Sequence, residues 1–396
     1  CSNKYEGVLA DNGMVVSARQ EASKIGVDIL KKGGNAFDAM LATELALAVS
    51  YPSAGNIGGG GFMVYRKSDG STGALDYRER APINSTSDMY LDENMEIIKG
   101  LSMIGGLSIG VPGTIAGIFE AHERHGTLTI NELISPVIEL AKKGVIVTEK
   151  QKNRIEENRK YFKLVNKSKI LFDNDFNTND TIKFPNLAST LERIMEYGRD
   201  EFYKGETAKK LVEFIQNNGG IITLNDLESY EPVWRDPIIF NYDGLKIISM
   251  SPPSSGGVCI NQIMKMIEPF DLKTFGHNSS NYIKLLVEAE RRSFADRSHY
   301  LGDPDFIQVP VNKLTSESYL NSRMNDFSFE KLVKFIKKGN KLLLVEPNLY
   351  YRAETDNESE KKSVEQAFAK SVIFGFEILE TKKNYHVIDF TPFLMF

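Results

Sequence analysis

The chain has 396 residues, 41% hydrophobic and 26% charged, with a formal net charge of -5. That balance fits a globular protein with a large core and leaves no basic footprint for nucleic acid. The most apolar helical stretch, Ala36 to Val49, is interrupted by Asp38 and Glu44, so no run reads as a membrane span.

Met14 to Ala18 is a short apolar run that predicts a strand. Ala22, Ile25, Ile29 and Leu30 then recur at helical spacing until Gly33-Gly34 stops them. Asn35 is placed to cap a second helix whose wide apolar face includes Leu41, Leu45 and Val49, ending before Pro52. Four consecutive glycines, Gly58 to Gly61, lead into a strand from Phe62 to Tyr65. Ser68-Asp69-Gly70-Ser71 supplies a hairpin turn. The returning strand, Gly73 to Arg78, alternates so that Asp76 and Arg78 share one face while Leu75 and Tyr77 share the other. Arg78 thus lies at the strand exit, where a planar guanidinium can grip a carboxylate with two parallel hydrogen bonds.

Val111-Pro112-Gly113-Thr114 opens a helix through Ile118 and Ala121, and Leu133, Val137 and Leu140 mark another. Residues 150 to 180 are polar and read as a solvent-facing helix plus loop. A helix through Ala208, Leu211 and Ile215 stops at Gly219-Gly220. A strand pair follows, joined through Asp243-Gly244, and then Ser254-Ser255-Gly256-Gly257 forms a turn before a helix near Ile260. No G-x-S-x-G elbow frames those serines, so a structural turn is the better reading than a nucleophile. A helix from Tyr282 to Asp296 can pair Glu288 with Arg292. Asp303 and Asp305 fall at turn positions, and the five histidines show no metal-ligand spacing. After Lys331 the grammar of hairpins and caps disappears.

Cys259, between Val258 and Ile260, reads as a buried inert thiol. Cys1 opens a polar Cys-Ser-Asn-Lys segment that resembles the start of a mature bacterial lipoprotein. That resemblance implies a lipid on Cys1 and a periplasmic or cell-envelope location; an arbitrary chain boundary is the alternative.

The segments GMVVSARQEASKIGVDILKKGGNAFDAMLAT, GNIGGGGFMVY, ALDYRERAP, GVPGTIAG, DEFYKG, NGGIIT, SMSPPSSGG and ADRSHYLGDPDF occur in an order similar to the large subunit of bacterial γ-glutamyltransferases (glutathione hydrolases), covering about Asp11 to Lys331. The resemblance implies an α+β, four-layer αββα sandwich of the N-terminal-nucleophile hydrolase type. It also implies a self-cleaving precursor whose freed threonine takes the γ-glutamyl group of glutathione and passes it to water or to an amine acceptor, with no metal or organic cofactor. By motif match, Arg78 holds the α-carboxylate of the glutamyl group; an ion pair with Asp76 or Glu79 is the plainer alternative. Arg80 reads as a supporting salt bridge, and Gly58 to Gly61 as tight packing behind the pocket.

The family's Thr-Thr-His-Tyr-Ser-like stretch has no counterpart here. Thr355, Thr381 and Thr391 lack its neighbours. The expected organisation is a lead-in over 1–12, a large-subunit-like domain over 13–331 and an unrelated tail over 332–396, as from a truncated or fused gene product. Such a chain is expected to be inactive alone, with a separate small subunit as partner. The competing reading is a non-catalytic, lipid-tethered remnant or scaffold that binds glutamyl ligands weakly through Arg78 or not at all. Cys1 as an N-terminal nucleophile is a third, weaker idea, because residues 1 to 12 read as a polar lead-in.

Overall fold

Asn35 begins the fold by local chemistry. Its side chain accepts from the N–H groups of Phe37 and Asp38, and the Asp38 carboxylate accepts from the Asn35 N–H, a reciprocal capping box. The computed structural model describes residues 9–166 and 168–330, with the backbones of four further strands between 343 and 390. In it, α1 (Gln20–Lys31) ends at Gly33, whose φ of 96° suits glycine, and Asn35 then starts α2 (Ala36–Ser50). Buried residues occur around most of the circumference of α2, so this helix lies within the core.

The chain divides into two compact units, Cys1–Pro237 and Ile238–Phe396. The first carries a three-stranded antiparallel sheet in the order β1 (Phe62–Arg66), β2 (Thr72–Asp76), β5 (Val233–Arg235). The β1–β2 hairpin is in register from Phe62↔Asp76 to Arg66↔Thr72, and Gly70 takes the turn at φ 87°. On its other edge β2 pairs with β5, Leu75 opposite Trp234. Successive residues Ala74 and Leu75 are both fully buried, so β2 is covered on both faces. A minor pair joins β3 (Val145–Ile146) to β4 (Thr181–Ile182).

Helices α3 (Thr114–His125), α4 (Ile130–Lys143), α5 (Glu149–Val165), α6 (Pro185–Tyr197), α7 (Arg199–Tyr203), α8 (Glu206–Asn217) and α9 (Leu224–Glu228) complete this unit. α1 packs on α2, α2 on α3 and α4, and α4 on α6, around a core that includes Leu45, Leu75, Ile115 and Leu133.

In the second unit, β6 (Ile238–Tyr242) and β7 (Leu245–Ser249) form a hairpin whose turn residues Asp243 and Gly244 have φ of 47° and 77°. Both positive angles are those of the tight turn that matches strand twist. α10 (Gly256–Ile267) packs on β6 and on α12 (Ser280–Tyr300), with α11 (Leu272–Phe275), α13 (Val311–Leu314) and α14 (Glu317–Met324) around them. The i,i+4 pair of Glu288 and Arg292 forms on α12 as its spacing predicts.

Three expectations change. Met14 to Ala18 joins no strand; Met14 and Val16 are exposed while Val15 packs on the core. Strand β2 ends at Asp76, and Ala74 through Tyr77 are all buried, so the alternation does not run on to Arg78. The tail, where no hairpin was expected, contains two antiparallel pairs, β8 (Leu343–Glu346) with β9 (Leu349–Arg352) and β10 (Phe376–Thr381) with β11 (Tyr385–Phe390). Cys1, Thr355, Thr391 and most of 332–396 lie outside the described residues.

Candidate functional site

The end of β2 hands the chain to a short segment held from several directions. Asp76, almost buried, accepts from Arg235 Nε at 2.8 Å on the neighbouring strand. The same carboxylate accepts from the Arg78 backbone N–H at 3.1 Å. Tyr77 continues the hairpin by one exchange with Gly61, donating at 3.0 Å and accepting at 3.2 Å. The Arg78 carbonyl accepts from Tyr230 Oη at 2.8 Å. Arg80 then bridges to Val111 through both backbone groups, at 3.1 and 2.8 Å.

Glycines make this closeness possible. A Cβ on Gly60 would stand 2.5 Å from the Tyr77 carbonyl oxygen and 2.7 Å from the Glu79 nitrogen. A Cβ on Gly61 would meet the Tyr77 ring, and one on Gly113 would overlap both the Tyr77 carbonyl and Tyr230 Oη. None of Gly58 to Gly61 has a positive φ. Gly60 and Gly61 serve approach to the Tyr77 segment rather than turning, as the packing reading expects, whereas a Cβ on Gly58 would meet nothing within 4 Å. The Gly59 carbonyl accepts from the N–H groups of Gly113 and Thr114 at 2.7 and 3.0 Å, which ties this loop to the start of α3.

Behind the segment, Tyr77 Oη sits 3.2 Å from each carboxylate oxygen of Glu44 on α2. Burial pushes the Glu44 carboxyl up to about 7, with the Tyr77 hydrogen bond pulling the other way. Burial raises the Tyr77 phenol, and the neighbouring Glu44 raises it further. Burial likewise raises Tyr230, helped by Tyr203, whose ring stacks on it at 5.9 Å.

Arg78 itself is exposed, and its guanidinium carries no ion pair or hydrogen bond among the described residues. The pairing alternative therefore finds no support, since the Asp76 carboxylate is engaged by Arg235. Arg80 lies over the Tyr230 ring at 5.4 Å, a cation–π contact that sequence alone did not show. In the second unit, Ser254 Oγ accepts from the Gly256 N–H at 3.2 Å, a turn contact before α10, and Ser255 Oγ accepts from Arg297 Nε of α12 at 3.1 Å. Asp296 is buried, accepting from Gln262 Nε2 and Tyr319 Oη and pairing with Arg323 at 3.2 Å. Asp303 accepts from the Asp305 N–H at 3.0 Å, a turn contact. Cys259 is a buried free thiol whose ionisation burial pushes up.

Sequence reading missed Glu44, Gly113 and Tyr230. For Glu44 a signal existed: a carboxylate inside an otherwise apolar helix needs a partner. For Tyr230 there was none, because its partner is 152 residues away.

The sequence model of the gamma-glutamyltranspeptidase family matches residues 22–364. The Escherichia coli (strain K12) protein named glutathione hydrolase proenzyme is 42% identical over 331 residues, 83% of this chain and 57% of that protein. The chain thus spans little more than half the length of that relative. The solved Helicobacter pylori gamma-glutamyltranspeptidase superposes with a TM-score of 0.80 at 41% identity, over 82% of this chain and 94% of that one. The Pseudomonas nitroreducens gamma-glutamyltranspeptidase complexed with L-DON gives 0.76 at 43%, over 81% and 96%. With the buried hairpin, the glycine-packed turn and the Arg78 segment all falling inside these matches, the chain belongs to the gamma-glutamyltranspeptidase family.

Proposed function

We propose that this chain supplies the γ-glutamyl-binding half of a glutathione hydrolase, and that Arg78 receives the α-carboxylate of the glutamyl group. The observation that carries the reading is the contrast at Arg78: a backbone fixed on both sides and an exposed guanidinium with nothing to neutralise it among the described residues. A planar fork fixed at its base suits bidentate capture of a carboxylate, and lysine would not reproduce it. The nucleophile of the reaction is then a threonine freed at the N-terminus of a second, smaller subunit. Its own α-amine, with an ordinary pKa near neutrality, acts as general base for attack on the γ-glutamyl amide. The resulting acyl-enzyme passes its γ-glutamyl group to water or to an amine acceptor.

In this reading the sheet covered on both faces is one half of an αββα sandwich that the second subunit completes, and this chain alone turns nothing over. A lipid on Cys1 would tether the activity to the cell envelope, and the mass of the native N-terminal peptide decides that point. The test of the main proposal is glutathione hydrolysis by the assembled protein. Arg78→Ala and Arg78→Lys are both expected to raise KM by at least tenfold, whereas an unchanged KM in Arg78→Ala removes Arg78 from the site.

A further inference from the structure

We propose that Tyr77 and Glu44 form a buried positioning pair that orients Arg78 towards the carboxylate it binds. The inference rests on the assignment of Arg78 above and adds the residues that act through it.

Tyr77 is the residue immediately before Arg78, and both ends of it are immobilised. Its backbone exchanges two hydrogen bonds with Gly61, and its ring is wedged where Cβ atoms on Gly61 or Gly117 would stand. Its hydroxyl reaches both oxygens of Glu44 at 3.2 Å, across from β2 to the buried helix α2. The Tyr77 side chain and the backbone next to Arg78 are thus held as one packed unit. The Arg78 backbone has little slack, since its N–H is held by Asp76 and its carbonyl by Tyr230.

Glu44 lies between the buried Thr43 and Leu45 on a helix that is largely apolar. A carboxyl held out of water against a phenol is costly unless it does something. No cation offsets it among the described residues: Tyr77 is the one group acting on Glu44 besides desolvation, and on the far side Tyr77 feels Tyr230. The Glu44 carboxyl titrates at about 7, so the hydrogen bond to Tyr77 changes character near neutral pH. When Glu44 is ionised, the Tyr77 hydroxyl must donate to it. When Glu44 is protonated, either group can donate, and the hold on the ring weakens.

The experiment measures the dissociation constant of L-glutamate by NMR titration from pH 5.5 to 8.5, with thermal unfolding as a control for folding. It compares the assembled parent protein with its Tyr77→Phe, Glu44→Gln and Arg78→Ala variants. Tyr77→Phe is expected to fold normally and to bind roughly fivefold more weakly, the order of one lost hydrogen bond. In the parent the constant should step near pH 7. The step should vanish in Glu44→Gln and move to higher pH in Tyr77→Phe, because the Tyr77 hydrogen bond is what lowers the Glu44 value. If the parent shows no saturable binding, or if Arg78→Ala binds as the parent does, the Arg78 assignment falls and the pair falls with it. If binding needs Arg78 yet Tyr77→Phe and Glu44→Gln keep the parent affinity and pH profile, the pair alone is overturned.

Discussion

Tyr230 Oη donates to the carbonyl oxygen of Arg78 at 2.8 Å, while its ring lies under the Arg80 guanidinium at 5.4 Å. One side chain from the far end of the unit thus holds the backbone at one arginine and carries the charge of another. Tyr230→Phe keeps the ring and removes the donor. It is expected to lower unfolding free energy by about 1 kcal/mol, with the Arg78 carbonyl left without that partner. Urea denaturation measures this, and KM for glutathione should rise in parallel.

Gly113 is a sterner test of the same packing. A methyl group there overlaps the Tyr77 carbonyl and the Tyr230 hydroxyl, and its φ of -115° is one that alanine adopts freely. Gly113→Ala therefore probes crowding alone. It should destabilise the protein by about 1–3 kcal/mol. Gly58→Ala, where a Cβ meets nothing within 4 Å, is its control and should leave Tm within a degree or two of the parent.

The Asp76–Arg235 pair is largely shielded, with side-chain exposures of 9% and 12%. Removing Asp76 takes a shielded carboxylate from Arg235. Asp76→Ala should cost about 3–5 kcal/mol, more than a surface pair would. It also takes the acceptor from the Arg78 N–H, so activity should fall further than stability explains.

Glu44 sets a pH prediction with a definite sign. In the fold it titrates at about 7, against 4.5 for an unperturbed glutamate. The folded state thus holds a proton that the unfolded chain releases at lower pH. The contribution of Glu44 is whole below pH 4.5 and is lost as pH rises through 7. A shift of that size corresponds to about 3 kcal/mol. Glu44→Gln should therefore be more stable than the parent at pH 8, and the advantage should shrink to near zero by pH 4. Equal stabilities at both pH values in chemical denaturation would contradict the raised value.

Much of the fold was legible because its signals are local. Asn35 with Asp38, Gly33, the Ser68–Ser71 turn and the Asp243-Gly244 pair each specify backbone geometry through residues at most three positions apart. Gly60-Gly61 and Arg78 could likewise be picked out, as glycines for close packing and an arginine just past a strand end. What was not legible depends on distant partners. β5 is three residues long, too short for any alternation, and is a strand because β2 lies beside it. Arg235 competes with Arg78 for Asp76 only once that pairing exists. Met14 to Ala18 has strand-like residues but no neighbour to pair with.

The segment around Arg78 is assembled from residues 44, 60, 113 and 230, which the chain delivers at widely separated times. Contacts of such long reach form late, since the loops between them must close first. The fixed backbone at Arg78 is therefore a readout of completed folding. A chain stopped before Tyr230 lacks the clamp on the Arg78 carbonyl, however well its helices have formed.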